Sequence, residues 1–452
     1  MKSSIERPLP HTSLGDSWLE EASAVLRAAN EAFADAHPGE SAQRQPVHTV
    51  YGGAQLFSAD TAIKIGAVAR KAMDDFAPDA STLGAALGIL DHPELARIDQ
   101  RVRDKLTREA VEDFRIDFED GYGNRPDDEE DKHCESVATE LIKGISAKML
   151  PPFIGMRIKP LNEELRERSI RTLDIVMTAL VEGGGIPDGW VITVPKVTIP
   201  EQVDFFVSAL GELERGLDLE EGSLVFEVMV ETPQIILDAA GTSLLPRLVD
   251  AGQGRLCGAH FGTYDYTAYS NITAAYQRMQ HPACEFAKHV MQVTLAGTGV
   301  CLSDGSTTVL PVPIHKGESL DDAQRAENQA TVHAAWKMHY DDVRHSLAGG
   351  FYQGWDLHPA QLVSRYGALY TFFLEGIDAA GARLKNFVDK AAQATLVGDV
   401  FDDAATGQGL LNFFLRGINS GAITEAEALA MTGLTAEEFR GRSFVKIMRG
   451  RA

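Results

Sequence analysis

Short segments of this chain alternate apolar and polar residues, and each is followed by a stretch with apolar residues at helical spacing. In FRIDFED, residues 114–120, Phe114, Ile116 and Phe118 alternate with charged residues, which is the period of a β-strand. The residues that follow, up to about 149, have the spacing of an amphipathic helix. This pattern predicts a strand followed by a helix.

The same strand-then-helix pattern recurs about eight times along the chain. The predicted strands lie in VHTVYGGAQLF, FRIDFED, FIGMRIKP, WVITVPKV, SLVFEVMVETP, LCGAHFGTYDYT, VCLSDG and GWDLHPAQ. Eight such units predict an α/β protein with a closed parallel (β/α)8 TIM barrel. An open doubly wound sheet is the alternative, but the sequence contains neither GxGxxG nor GxxxxGK[ST], the motifs that a nucleotide-binding sheet would carry.

The two ends of the chain have a different pattern from the predicted barrel. Residues 1–45 contain one amphipathic stretch, SWLEEASAVLRAANEAFADA, which predicts an N-terminal helical extension before a barrel spanning residues 46–374. Residues 375–452 have a helical pattern broken by glycines and no strand pattern. We expect this C-terminal helical tail to cap the barrel mouth or to contact another subunit, and we expect a homo-oligomer.

Composition excludes several classes of partner. The chain has 42 Lys and Arg against 65 Asp and Glu, a formal charge of −23, with no basic run of the kind that binds nucleic acid. No apolar run approaches the roughly 18 residues that a membrane span needs. The four cysteines form no CxxC pair and signal neither a zinc site nor disulfides. These features predict a cytoplasmic protein.

Polar residues cluster where the predicted strands end, and in a barrel of this kind the chemistry lies at the C-terminal ends of the strands. The opening motif alone leaves a solvated turn as a plain alternative for its acidic residues. The polar strand-end residues are Asp117, Glu119, Asp120, Arg157, Lys159, Lys196, Glu231, His260, Asp265, Asp304, Asp356 and His358.

Two carboxylates in this set are candidate ligands of a metal ion. Glu231 follows the apolar strand FEVMV, so its buried carboxylate would need a cation nearby. Hard oxygens from two different strands, without a His or Cys cluster, suit Mg²⁺, and they predict that Glu231 and Asp265 bind it. The alternative is an ordinary salt bridge from Glu231 to Arg157 or Lys196.

Three further strand-end residues have both a catalytic and a structural interpretation. Arg157 is either one half of an ion pair or a planar fork that binds a substrate carboxylate and stabilises an enolate. His358, in WDLHPAQ, is either a hydrogen-bonding cap or a catalytic residue. Lys196 either pairs with the acidic residues or forms a Schiff base.

The ordered set IDFEDG, GMRIKP, VPKV, VMVETPQ, HFGTYDYT, LSDG and LHPAQ resembles the strand ends of the HpcH/HpaI aldolase and citrate lyase β-subunit superfamily, over roughly residues 110 to 365. Malyl-CoA lyases and malate synthases are relatives within this barrel group. The chain departs from the superfamily pattern at Tyr264, where Glu is usual, and at DGYG, which replaces DAVP. It resembles an enlarged, divergent member.

The resemblance implies that Glu231 and Asp265 bind Mg²⁺ and that Arg157 binds the substrate carboxylate and steadies the enolate. It further implies that Glu119 and Asp120 hold metal-bound waters. The acidic residues of the opening motif would then support a metal site. The general base stays open among Asp117, Asp120, His358 and Asp402.

The function that follows is that of a Mg²⁺-dependent carbon–carbon lyase or aldolase. It would act through an enolate on a small 2-oxo acid or hydroxyacyl carboxylate, with a CoA thioester as one alternative form of the substrate. A malate-synthase-like condensing enzyme is a second hypothesis. A barrel that binds a carboxylate metabolite without turning it over is a third.

Overall fold

The chain folds as a closed barrel of eight parallel strands in sequential order, which confirms the predicted (β/α)8 TIM barrel. The structure is a computed structural model that describes residues 13–14, 16–39, 41, 43–317, 319–389, 395–397, 400–402 and 404–451. The barrel strands are β1 Thr49–Gly53, β2 Asp113–Asp117, β3 Phe153–Arg157, β4 Trp190–Val194, β5 Phe226–Val230, β6 Leu256–Phe261, β7 Cys301–Ser306 and β8 Gln353–Asp356.

Helices surround the barrel and form both extensions. They are α1 Asp16–Ala36, α2 Thr61–Phe76, α3 Ala80–Leu87, α4 Leu95–Arg108, α5 Asp127–Ala147, α6 Arg166–Glu182, α7 Pro200–Gly216, α8 Pro233–Ile236, α9 Leu245–Gly252, α10 Thr263–Tyr269, α11 Pro282–Leu295, α12 Asp322–Ala348, α13 Gln361–Leu374, α14 Ile377–Asp389, α15 Ala404–Asn419, α16 Glu425–Thr432, α17 Ala436–Arg440 and α18 Phe444–Arg451. No described helix is long and apolar enough to cross a membrane.

The alternation along each strand sorts its side chains between two environments. In β2, Phe114 and Ile116 belong to the hydrophobic core that the helices cover. Asp113, Arg115 and Asp117 lie on the opposite side, in the barrel interior, because successive side chains of a strand point to opposite faces. The strand sequence therefore packs the helices outside and fills the lumen with polar groups.

The lumen holds a buried charged network instead of the layers of branched apolar side chains that are usual in such barrels. Arg115 ion-pairs with Asp113, and its Nε donates to Glu227 Oε1 at 2.9 Å. Glu227 Oε2 lies 3.0 Å from His260 Nε2. Burial works to raise the pKa of Glu227, but Arg115 and His260 outweigh it and the pKa is lowered. The network keeps Glu227 charged inside the barrel.

The C-terminal tail packs against the outside of the barrel and near its N-terminal end. The ring of Phe373 in α13 lies 5.5 Å from that of Phe413 in α15. Asn419 Nδ2 donates to the carbonyl of Gln45, just before β1, at 2.7 Å. Arg101 of α4 pairs with Glu427 at 2.8 Å. These contacts leave the opposite, C-terminal end of the barrel to the strand-end residues.

The prediction that the tail lacks strands was wrong in one place. Thr395–Val397 (β9) and Val400–Asp402 (β10) pair antiparallel. The sequence TLVGDVF carries the signal, since β-prone residues flank a Gly-Asp pair of the kind that joins hairpin strands. The division at residues 45 and 374 stays a prediction. None of the four cysteines, all of which are described, forms a disulfide bond.

Candidate functional site

A cavity of about 300 Å³ lies at the C-terminal ends of the barrel strands. Its position is where TIM-barrel enzymes place their chemistry. The lining residues that matter below are Tyr51, Arg157, Glu231, Thr263, Asp265 and Trp355.

Asp117, the last residue of β2, holds Arg157, the last residue of β3. Arg157 Nε donates to Asp117 Oδ1 at 2.7 Å and the NH2 group donates to Oδ2 at 2.5 Å. The backbone N–H groups of Glu119 and Gly121 also donate to Asp117, at 2.9 and 2.7 Å. Burial works to raise the pKa of Asp117, but Arg157 and these donors lower it. This bidentate pair fixes the guanidinium at the mouth.

Two aromatic rings flank the guanidinium of Arg157. Its central carbon lies 4.7 Å from the centroid of the Tyr51 ring and 6.0 Å from that of Trp355. Asp117 takes two of the five N–H groups of Arg157, and NH1 lies 3.2 Å from Glu119 Oε2. Two N–H groups remain at the cavity for a substrate carboxylate even with Glu119 in place.

Lys196 stands among the acidic residues that follow β2. Its ammonium pairs with Glu119, lies 3.3 Å from Asp120 Oδ2 and reaches within 3.8 Å of Asp265 Oδ1. The backbone of Lys196 has a left-handed φ of 50°. Burial and the neighbouring Asp120 raise the pKa of Glu119 although Arg157 and Lys196 lower it. Glu119 and Asp120 therefore lie beside the two predicted metal ligands.

Glu231, which directly follows β5, and Asp265, in the first turn of α10, both line this cavity. Glu231 is 1% exposed, and its Oε1 accepts from the Lys196 backbone N–H at 2.7 Å. Burial and the charge of Asp265 raise the pKa of Glu231 to about 8. Burial also raises the pKa of Asp265, whose carboxyl lies near that of Glu231. Between described residues, no ion pair joins Glu231 to Arg157 or Lys196.

The charges at this mouth do not balance within the protein. Carboxylates outnumber cationic side chains here: among the described residues, two cations, Arg157 and Lys196, lie with five acids, which are Asp117, Glu119, Asp120, Glu231 and Asp265. Among the described residues, no group of three or more His, Cys, Asp and Glu side chains is arranged to hold a metal ion. Mg²⁺ needs only one or two protein carboxylates, so the Glu231–Asp265 pair fits it.

The candidate bases differ in their access to the cavity. Asp120 lines it, with a side chain that is 62% exposed. Asp117 is occupied by Arg157, and His358 accepts a hydrogen bond from the backbone N–H of Ala360 at 3.2 Å without lining the cavity. Burial lowers the pKa of His358. The side chain of Asp402 lies outside the described residues.

Three polar strand-end residues do not reach the mouth. Asp304 of β7 points outward to Lys288, at 3.1 Å. Asp356 of β8 points outward to Arg365, at 2.9 Å. His260 of β6 faces the lumen below the mouth. Each position is set by the alternation of the strand, since a shift of one residue moves a side chain to the other face.

Tyr264, which departs from the superfamily pattern, supports a loop at the mouth. Its hydroxyl donates to the carbonyl of Ser306 at 2.9 Å and lies 3.1 Å from Thr308 Oγ1. The backbone N–H of Thr308 donates back to the hydroxyl at 3.2 Å. Tyr264 therefore fixes the segment that follows β7.

The sequence analysis missed three cavity residues. Tyr51 and Trp355 lie at the mouth on adjacent strands, with ring centroids 4.5 Å apart. Trp355 Nε1 and Thr263 Oγ1 are buried polar atoms for which the described residues supply no hydrogen-bond partner. The register between β1 and β8 explains why the two rings meet. It pairs Thr49 with Trp355, and Tyr51 lies two residues beyond Thr49 on the same, lumen-facing side of β1.

The comparisons with known proteins support this fold. No curated protein matches the sequence. Among solved structures, the chain is similar to a citrate lyase from Burkholderia xenovorans LB400, with 16% identity, a TM-score of 0.56, and coverage of 87% of this chain and 100% of that chain. This likeness shows the fold alone, and it agrees with the superfamily resemblance at that level.

Two further solved structures are more distant. Haloferax volcanii malate synthase in a magnesium and glyoxylate complex is 15% identical over 91% of this chain and 99% of that chain, with a TM-score of 0.46. Mycobacterium tuberculosis CitE in complex with magnesium, acetoacetate and coenzyme A is 13% identical over 84% of this chain and 100% of that chain, with a TM-score of 0.47. Neither adds to the fold assignment.

Residues 26–447 match the family described as "Domain of unknown function (DUF6986)". The match spans the whole barrel and most of the tail. This chain therefore belongs to the DUF6986 family.

Proposed function

We propose that this protein is a Mg²⁺-dependent carbon–carbon lyase or aldolase that acts through an enolate on a small carboxylate substrate. The observation that carries the proposal is the pairing of Glu231 and Asp265, two carboxylates that lack sufficient positive charge, at a cavity that also presents Arg157. Such a site favours a divalent cation and an anionic substrate together. The citrate lyase fold is consistent with this class of reaction.

Glu231 and Asp265 would hold the metal ion. When bound, Mg²⁺ supplies a Lewis acid that stabilises negative charge on the oxygen of the enolate. Burial matters here because electrostatic stabilisation is stronger in a site that excludes water. Glu119, Asp120 and Asp265 all lie within 3.8 Å of the Lys196 ammonium, so the first two are close to a predicted metal ligand. From there they would bind ordered water around the ion.

The remaining cavity residues orient the substrate. Arg157, held by Asp117, presents its free N–H groups to the substrate carboxylate, and a planar guanidinium suits that geometry. The unpartnered Trp355 Nε1–H and Thr263 hydroxyl supply further donors for substrate oxygens. The rings of Tyr51 and Trp355 form an apolar wall that excludes water from one side.

Proton transfer falls to Asp120. It is the base candidate that lines the cavity with a carboxylate exposed to solvent, whereas Asp117 is held by Arg157. The ammonium of Lys196 lies 3.3 Å from Asp120 Oδ2 and holds that side chain at the cavity. In the cleavage direction the Oδ2 atom accepts the hydroxyl proton of the substrate as the carbon–carbon bond breaks.

Calorimetric titration with Mg²⁺ tests the metal site. Glu231→Gln and Asp265→Asn should each abolish binding, since each removes one of two ligands, while circular dichroism shows an intact barrel. Glu220→Gln, an exposed acid far from the mouth, is the matched control and should bind as the wild type does. Undiminished affinity in both ligand variants would refute the assignment.

Activity assays test the reaction class. We expect Mg²⁺-dependent release of pyruvate, glyoxylate or oxaloacetate from hydroxydicarboxylates or their CoA thioesters, lost in Asp120→Asn. Consumption of acetyl-CoA and glyoxylate would instead identify a condensing enzyme. If pyruvate and oxaloacetate exchange no deuterium with Mg²⁺ present, the barrel binds its metabolite without turnover and the proposal fails.

A further inference from the structure

A second cavity, of about 600 Å³, lies at the N-terminal end of the barrel, opposite the candidate active site. Its wall is formed by the first residues of several strands, including Phe153 of β3, Trp190 of β4 and Gln353 of β8. Its rim includes the exposed side chains of Gln43, Glu220 and Ser223. The cavity therefore opens to solvent, and its volume suits a small organic molecule.

Two polar atoms in residues that line this cavity have no hydrogen-bond partner in the described part of the chain. Trp190 is 6% exposed, and its Nε1 atom is one of the two. His260 is 1% exposed, and its Nδ1 atom is the other, whereas its Nε2 atom pairs with Glu227. Buried polar groups are normally satisfied, so these two point to a ligand that satisfies them.

The two atoms need different kinds of hydrogen-bond partner. Trp190 Nε1–H can only donate a hydrogen bond. When His260 Nε2–H donates to Glu227, the neutral imidazole leaves Nδ1 as an acceptor. The ligand must therefore bring one acceptor and one donor.

The rest of the wall favours an uncharged, flat molecule. The two guanidinium groups that line the cavity are neutralised by the protein, since Arg44 pairs with Glu109 and Glu112, and Arg115 pairs with Asp113 and Glu227. The aromatic rings of Phe153 and Trp190, with Ile186 and Val191, make the remaining surface largely apolar. Aromatic side chains favour stacking with planar rings.

We propose that the N-terminal end of this barrel is a second binding site, for a neutral aromatic or heteroaromatic molecule that carries one hydrogen-bond donor and one acceptor. The site is separate from the C-terminal mouth and does not depend on the reaction proposed there. Its ligand packs against the aromatic and aliphatic wall, accepts from Trp190 Nε1 in the plane of the indole, and donates to His260 Nδ1.

Equilibrium dialysis with 2-quinolone, followed by its absorbance, tests the site. This probe is neutral and planar, with one N–H donor and one carbonyl acceptor, and we expect one molecule to bind per chain. N-methyl-2-quinolone lacks the donor and should bind about fivefold to tenfold more weakly, because His260 Nδ1 stays unpaired. No retention of 2-quinolone, or equal binding of the two probes, would overturn the proposal.

Three variants locate the probe. Trp190→Phe keeps a ring but loses the donor, and it should weaken 2-quinolone binding about fivefold with an unchanged circular dichroism spectrum. Ser223→Trp places a large side chain at the exposed rim and should block entry without touching the core. Arg157→Lys alters only the opposite mouth and should bind the probe normally. Binding that survives the first two variants, or that Arg157→Lys abolishes, refutes this location.

Discussion

Replacement of Glu231 by glutamine removes the buried carboxylate whose charge the protein balances least. In the metal-free protein, burial and Asp265 raise the pKa of Glu231 from the ordinary 4.5 to about 8. Between these values the folded chain binds a proton that the unfolded chain releases. The free energy of unfolding therefore falls as pH rises from 4.5 to 8, and this part of the stability is fully lost above pH 8.

The size of the effect follows from the two pKa values. Their separation corresponds to roughly 5 kcal/mol as an upper limit. Because the charge of Asp265 helps to raise the pKa of Glu231, the two carboxyls titrate together, and we expect about half of that free energy to act through Glu231 alone. Glu231→Gln imitates the protonated carboxyl at every pH, so in EDTA it should match the wild type at pH 4.5 and exceed its stability by roughly 2–5 kcal/mol at pH 9.

Urea unfolding followed by circular dichroism, at pH 4.5, 7 and 9 with EDTA or with Mg²⁺, measures this prediction. Mg²⁺ should stabilise the wild type at pH 9 and leave Glu231→Gln unchanged, because an ion that binds only the folded chain stabilises it. Asp120→Asn, which removes an exposed acid from the same mouth, is the control for general loss of charge. A metal-free wild type whose stability does not change between pH 4.5 and 9 would refute the electrostatic reasoning.

Three further predictions concern single side chains. Arg157→Lys keeps the positive charge but loses the bidentate bond to Asp117. Turnover should therefore fall by at least tenfold, with little change in the urea midpoint. Turnover equal to that of the wild type would exclude Arg157 from the site. Lys196→Met removes an ammonium that competes for the same carboxylates, so calorimetry should show Mg²⁺ binding about tenfold tighter; weaker binding would mean that Lys196 organises the site. Glu109 pairs with Arg44 and Lys105. Burial works to raise the pKa of Glu109, but these two cations outweigh it and the pKa is lowered to about 2. The pairing therefore adds roughly 1–3 kcal/mol to the free energy of unfolding above pH 4.5, and this contribution is lost as pH falls towards 2. Glu109→Gln should therefore narrow the difference in urea midpoint between pH 6 and pH 3, and an unchanged difference would contradict this.

The strands of this barrel could be predicted because each is short, apolar on one side and followed by a helix. FRIDFED and WVITVPKV identify the starts of β2 and β4 to within one residue, and both segments run three residues past the strand ends. The hairpin of β9 and β10 was missed because each of its strands is only three residues long, too short for periodicity to register.

The candidate site was partly predictable for a related reason. Charged residues at strand ends, such as Glu231 and Arg157, can be found by position alone. The partner of each one cannot, because it depends on register across the barrel: Asp117, not Glu231, holds Arg157. Trp355 was missed because an aromatic residue next to Asp356 in GWDLHPAQ reads as core, and only the strand alternation turns the ring to the mouth and the acid outward.

The charged network in the lumen constrains how this sequence can change. Arg115 is shared by Asp113 and Glu227, and Glu227 also meets His260. Loss of one member would leave an unpaired charge buried in the barrel centre. The cost is about 3–5 kcal/mol of the free energy of unfolding, which is a large share of the total for many domains. Viable descendants must therefore exchange these residues jointly, so the barrel interior behaves as a single inherited unit.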